Sequence, residues 1–202
     1  MEALTVRRNL ERIRSEVGDG PDILAAVKYV AREDIGALVE AGVTLMGENR
    51  AQELVAKAAD HPGVRWHFIG ALQSRKVKQI LPCVELIHSV ASDSVLRELA
   101  KHGTAETEVL VEVNVAGEAG KEGVAPEDLA GFIDRCPARV VGLMTMPPAT
   151  GDPEASRPHF ARLRELAAEH GLHHLSMGTS QDYRVAAEEG ATIVRVGSTL
   201  FA

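Results

Sequence analysis

Two periodicities share this chain. Short apolar runs rich in Val, Ile and Leu occur at Ile23–Val30, Val43–Met46, Arg65–Ile69, Leu86–Val90, Glu108–Val115, Val140–Met146, His173–Met177 and Thr192–Val196. Runs of that length and composition predict buried strands. Between them apolar residues recur at helical spacing, over Arg32–Ala41, Ala51–Ala59, Arg75–Leu81, Asp93–His102, Pro126–Arg135, Pro158–His170 and Gln181–Glu189. An amphipathic helix over Leu4–Val17 precedes the first run. Start and stop signals agree with these limits: Ser92 or Asp93 caps the fourth of the intervening helices, Gly103 ends it, and Gly171 ends the sixth.

Strict alternation of strand and helix with short connections predicts a parallel sheet. Eight such repeats predict a closed (β/α)8 TIM barrel. The eighth run lies close to Ala202, which leaves no length for an eighth helix after it, so the N-terminal helix is expected to cover that gap. An open doubly wound sheet is the alternative, but no G-x-G-x-x-G follows the first strand. No linker or composition shift divides residues 1–202, which are expected to form one domain.

Composition narrows the function. The 202 residues are 45% hydrophobic but only 3% aromatic, so the core is built from Ala, Val, Leu and Ile. A net charge of −7 argues against a nucleic-acid partner, which requires a basic face, but allows a small anion held by local dipoles. The two cysteines, Cys83 and Cys136, stand in no metal-binding or redox spacing, which fits a cytoplasmic protein. No apolar run has the length of a membrane span, and the charged N-terminal helix lacks the apolar stretch of a signal peptide.

Lys28 closes the apolar stretch Ile23–Val27. A lysine at the end of a buried strand is costly unless it is paired, solvated or chemically used. The common outcome is a side chain that reaches solvent. The useful one is an amine of depressed pKa that attacks a carbonyl and forms a Schiff base. Catalytic groups of such barrels collect at the C-terminal ends of strands. There the sequence places Lys28, Gly47-Glu48-Asn49-Arg50, Gly70-Ala71-Leu72-Gln73, His88-Ser89, Asn114, Met144-Thr145-Met146, Ser176–Ser180 and Arg195–Ser198.

The loops after strands seven and eight are the recurrent phosphate site of the fold. Ser176, Gly178, Ser180, Gly197 and Ser198 supply small side chains, hydroxyls and accessible backbone N–H groups, and a helix starting near Gln181 would add its N-terminal dipole. Similar loops also occur in barrels that bind nothing there. Strand eight pairs with strand one in a closed barrel, so a ligand with a phosphate at one end and an aldehyde at the other would span these walls. Pyridoxal 5′-phosphate has that shape and usually attaches through a lysine.

The segment WHFIGALQSRK (66–76) resembles the signature of the pyridoxal-phosphate homeostasis proteins (YggS/PROSC family). AAVKYV (25–30), MGENRAQEL (46–54), HSVAS (88–92), GLMTMPP (142–148), LSMGTSQDY (175–183) and GATIVRVGSTLF (190–201) match the same family in order. The resemblance implies a barrel like the N-terminal domain of alanine racemase with pyridoxal phosphate at its mouth. It implies that Lys28 is the Schiff-base lysine and that Arg195 faces the pyridine nitrogen. Ser176, Ser180, Gly197 and Ser198 would hold the phosphate, and Asn49 and His67 would lie around the cofactor. Tyr29-Val30, Thr179, Gln181 and Ala202 depart from the commoner family pattern.

An arginine at the ring nitrogen disfavours ring protonation, because it has donors only. That weakens carbanion stabilisation and suits a carrier that passes cofactor to apo-enzymes, or a racemase that avoids side reactions. The competing reading of Arg195 is a buried salt bridge to Glu48 or Glu112. The family has a single domain, so a monomer without a second acid/base residue is expected. The alternative is a racemase or lyase in which Tyr29, His67, His88 or Tyr183 serves as second base. The loop Val115–Glu122 lacks the first glycine and the Ser/Thr of a P-loop and reads as a solvated or mobile loop at the mouth. His173 and His174 are adjacent in a strand and point to opposite faces, so no metal is expected.

Overall fold

The computed structural model describes residues 1–202. In chain order the elements are α1 (Ala3–Val17), β1 (Asp22–Ala26), α2 (Ile35–Glu40), β2 (Leu45–Glu48), α3 (Ala51–Asp60), β3 (Arg65–Phe68), α4 (Val77–Ile80), β4 (Leu86–Val90), α5 (Asp93–His102), β5 (Glu108–Glu112), α6 (Leu129–Arg135), β6 (Arg139–Met144), α7 (Arg157–Glu169), β7 (His174–Thr179), α8 (Tyr183–Glu188), β8 (Ile193–Val196) and α9 (Ser198–Phe201). The eight strands close into a barrel in chain order, and β8 pairs in parallel with β1. This is the (β/α)8 architecture that the alternation predicts. No helix is long and apolar enough to cross a membrane.

Alternate strand residues face opposite ways. One set packs outward against the helices and forms the main core, including Val27, Met46, Trp66, Phe68, Ile87, Val111 and Val194. The other fills the barrel with Leu24, Leu45, Leu86, Leu110, Met144 and Ile193. Each fully buried Leu, Val or Phe contributes roughly 1.5–3 kcal/mol of transfer free energy.

The gap beside β8 and β1 is covered as expected, with one addition. Val6, Leu10 and Ile13 form the buried stripe of α1. That helix packs on α8 and on α9, a single turn that the sequence reading omits. Asn9 Nδ2 donates to Leu200 O at 3.1 Å and to Ala202 O at 2.8 Å, which ties the turn down.

Several boundaries differ from the sequence-based expectation. The first strand ends at Ala26 rather than Val30, because only one more ladder bond forms, Val27 N to Gly47 O at 2.9 Å, before Val30 N turns back onto Val27 O at 3.1 Å. The second strand runs two residues later than expected, through Gly47 and Glu48. A side chain at Gly47 would meet Leu24 and Ile69 inside the barrel and force them to move. The third intervening helix breaks into a 3-10 turn (Ser74–Lys76), α4 and a second 3-10 turn (Leu81–Cys83) carrying Pro82. The 115–122 loop closes on itself: Asn114 Nδ2 donates to Glu118 O and Glu118 N to Asn114 Oδ1, while Val113 and Val124 form a bridge at its base.

Candidate functional site

Lys28 lies in the turn just after β1, half-buried, with its ammonium 4.8 Å from the ring centre of the exposed Tyr29. That ammonium holds the Tyr29 hydroxyl below its ordinary pKa. Lys28 is therefore at the mouth but is not the buried strand-end lysine the sequence suggests. The buried lysine of this protein is Lys57 on α3, 1% exposed. Its Nζ donates to Glu48 Oε2 at 2.6 Å and to Val27 O at 2.9 Å. Glu48, fully sealed, accepts with Oε1 from Asn49 N at 2.7 Å and Arg50 N at 3.1 Å. One ion pair thus fixes both the turn that presents Lys28 and the loop that presents Asn49. Gly70 packs on the Asn49 backbone where a Cβ would collide with it.

Arg195 faces into the barrel from β8, 4% exposed and in register with Leu24 of β1. Its Nη1 donates to Ser176 O at 2.8 Å and Ser176 Oγ at 2.6 Å, and its Nη2 to Thr145 O at 2.9 Å. No carboxylate lies in salt-bridge range. Glu48, one partner proposed by the competing sequence reading, belongs to Lys57. Glu112, the other, acts on Arg195 only at longer range. Burial lowers the guanidinium pKa to about 10, still cationic at neutral pH, and Nε–H is left out of these bonds.

Ser176 sits elsewhere than the phosphate loop the sequence assigns it to. It is fully buried in the wall, with its hydroxyl held by Arg195 and 2.8 Å from His88 Nδ1. His67 likewise lies below the mouth, where its Nδ1 is 2.9 Å from His88 Nε2. Burial lowers the pKa of His67 to about 3 and puts that of His88 well below the ordinary value.

The remaining loop residues do meet. Ser180 Oγ accepts from Gly197 N at 3.0 Å and Thr199 N at 3.3 Å, joining the loops after β7 and β8. Ser198 stands exposed at the start of α9. Gly178 adopts φ +87°, where a side chain would also hit Ala186. The helix expected near Gln181 begins at Tyr183, because Asp182 stops the turn first. Its carboxylate accepts from Thr179 N at 2.7 Å, Thr179 Oγ1 at 3.0 Å and Ser156 Oγ at 2.8 Å.

Sequence reading missed Lys57, Asp182 and the roles of Glu48 and Glu112. Lys57 carried a signal: it lies three and six residues beyond Leu54 and Ala51, both buried on the same stripe of α3. Glu112 faces inward from β5, and burial together with Glu122 raises its pKa to about 7. The mouth therefore offers one half-buried amine, one buried cation with a spare donor, a backbone cradle rich in N–H groups and a carboxyl that titrates near neutrality.

Comparison with known proteins identifies the family of the chain. Residues 3–202 match the family model "Alanine racemase, N-terminal domain". The pyridoxal phosphate homeostasis protein of Aquifex aeolicus is 43% identical, over 96% of this chain and 94% of its own length. That of Deinococcus radiodurans is 39% identical over 89% of this chain and 88% of its own. The solved structure of PipY from Synechococcus elongatus with pyridoxal phosphate (PLP) bound superposes with a TM-score of 0.84 at 30% identity, covering 98% of this chain and all of that one. Lysine/ornithine decarboxylase of Vibrio vulnificus shares the fold alone, at 14% identity and a TM-score of 0.77.

Proposed function

The chain belongs to the alanine racemase N-terminal domain family, among the pyridoxal phosphate homeostasis proteins, and from that premise we propose that it binds pyridoxal phosphate through Lys28 and takes part in cytoplasmic PLP homeostasis. The observation that supports this reading is the parallel pairing of β1 with β8, Leu24 against Arg195 and Ala25 against Val196, which brings the turn carrying Lys28 and the Ser180–Gly197–Thr199 cradle to the same ends of neighbouring strands. The residues fit the cofactor's parts. Backbone N–H groups of Gly197 and Thr199, now held by Ser180, suit a phosphate, with Ser198 as a further donor. Arg195 Nε–H suits an acceptor nitrogen. Lys28 would supply the nitrogen for a Schiff base to the aldehyde, with loss of water. Asn49 borders the same opening.

The bound cofactor would supply a reactive carbonyl and an electron-accepting ring. Arg195 withholds a proton from the ring nitrogen position, which limits that second capacity and favours holding over turnover. Residues 1–202 act as one cofactor-binding domain, monomeric, with apo-enzymes as recipients. Glu112 keeps a racemase or lyase reading open, since it is an inward carboxyl able to exchange a proton near pH 7. Borohydride reduction of the cofactor-loaded protein, followed by peptide mass mapping, tests the attachment: the label is expected on Lys28 and no other lysine. Label on Lys57 or Lys121 instead would refute it.

A further inference from the structure

A row of polar side chains crosses the barrel, and cofactor attachment uses only its upper end. Arg195 Nη1 is 2.6 Å from Ser176 Oγ, Ser176 Oγ is 2.8 Å from His88 Nδ1, and His88 Nε2 is 2.9 Å from His67 Nδ1. His67 Nε2 then lies 4.0 Å from Glu85 Oε2, which is itself held by Arg65 Nε at 2.8 Å. That lower end opens on a cavity of about 330 Å³ also lined by Asp22, Arg65, Glu108 and His174.

The proton order follows from one fixed end. A guanidinium only donates, so Ser176 Oγ accepts from Arg195. The one acceptor that Ser176 Oγ–H reaches is His88 Nδ1. Both imidazoles are neutral, as their lowered pKa values require. A neutral imidazole that accepts at Nδ1 carries its hydrogen on Nε2. His88 therefore donates Nε2–H to His67 Nδ1, and His67 turns Nε2–H toward Glu85. Every acceptor end faces Arg195, and every donor end faces the cavity at the opposite end of the row.

We propose that Ser176, His88 and His67 form a polarised relay that acts as the counter-charge of the buried Arg195 and positions its guanidinium toward the cofactor. A buried cation without a carboxylate partner is costly. Aligned hydrogen bonds in a medium of low dielectric strengthen one another, and here their negative ends converge on the cation. These three are positioning residues. The claim about the cofactor rests on the function proposed above, whereas the proton order is a property of the protein alone.

Imidazole nitrogen–proton correlation NMR on the purified protein, before and after addition of pyridoxal phosphate, reads the order directly. His67 and His88 are expected to be neutral with hydrogen on Nε2 from about pH 5 to about pH 9. Hydrogen on Nδ1 of either ring, or a charged ring in that range, would overturn the proposal. Ser176→Ala breaks the row at its centre. It is expected to move the visible band of bound pyridoxal phosphate and to raise its Kd roughly tenfold, the loss of one charge-assisted hydrogen bond. An unmoved band with unchanged Kd would overturn the coupling. If Ser176→Ala does not fold, His67→Gln interrupts the row at the end remote from the mouth and is read the same way. A wild-type protein that takes up no cofactor would contradict the proposed function instead, and the NMR result would still decide the proton order.

Discussion

Lys57 and Glu48 form an ion pair at 2.6 Å with neither side chain open to water, and the same ammonium holds the carbonyl of Val27, the residue before Lys28. A buried pair contributes little net stability over an apolar pair, but removal of one partner strands the other. Lys57→Met is expected to destabilise the protein by about 3–5 kcal/mol in urea unfolding. Adding Glu48→Gln, which keeps the acceptor for Asn49 N and Arg50 N, should recover at least half of that. If the double variant is as unstable as the sum of the single ones, the two residues are not an energetic unit.

Stability should depend on pH through two buried histidines and one half-buried carboxyl, of opposing sign. His67 and His88 have folded pKa values below the ordinary 6.5, so the unfolded chain binds more protons than the native one as pH falls from there. Their contribution is present above pH 6.5 and is lost below it, about 2 kcal/mol from His67 alone by pH 5. Glu112 has a folded pKa of about 7 against 4.5, so its contribution is present below pH 4.5 and is lost as pH rises toward 7. Two histidines outweigh one carboxyl between pH 4.5 and 6.5, and the opposing terms cancel close to neutrality. Thermal melts in a buffer series should therefore rise from pH 5 and level off near pH 7. Glu112→Gln should steepen the acid limb and make the rise to the neutral plateau larger. A flat profile would mean that these groups are solvated.

Gly178 and Asp182 shape the loop after β7. Gly178→Ala meets both a positive φ and the Ala186 side chain, and should cost about 2–4 kcal/mol. Asp182→Ala leaves Thr179 N without its acceptor, and should cost about 1–3 kcal/mol and accelerate cofactor loss. Equal cofactor retention in Asp182→Ala and wild type, measured by gel filtration of the loaded protein, would separate this loop from the phosphate.

Ser180→Ala with Ser198→Ala is expected to weaken cofactor retention. Because Ser180 Oγ also joins the two loops through Gly197 N and Thr199 N, the double variant should lose about 1 kcal/mol without cofactor as well. Chemical denaturation in the absence and presence of pyridoxal phosphate distinguishes the two effects. Loss confined to the cofactor-free state would remove these serines from the binding account.

The barrel was legible because every strand is a compact apolar run bounded by turn residues, and because parallel pairing follows from the intervening helices. Lys28, Arg195 and the small-residue loops were legible because the fold places function at strand ends. Lys57 was not singled out, since a lysine in AQELVAKAAD reads as solvated until the glutamate facing it is known. Ser176 was assigned to the phosphate because a strand-end serine looks the same whether it points into the barrel or onto a loop. Its contact with His88, eighty-eight residues away in the chain, exists only once the barrel is closed.

Attachment of pyridoxal phosphate to Lys28 at the barrel mouth is read from the absorbance of the purified protein titrated with the cofactor. The wild type is expected to develop a band at roughly 420 nm that survives desalting, and Lys28→Ala, folded with the same melting profile, to show none. A band of equal intensity in Lys28→Ala, or none in the wild type at saturating cofactor, would contradict the account.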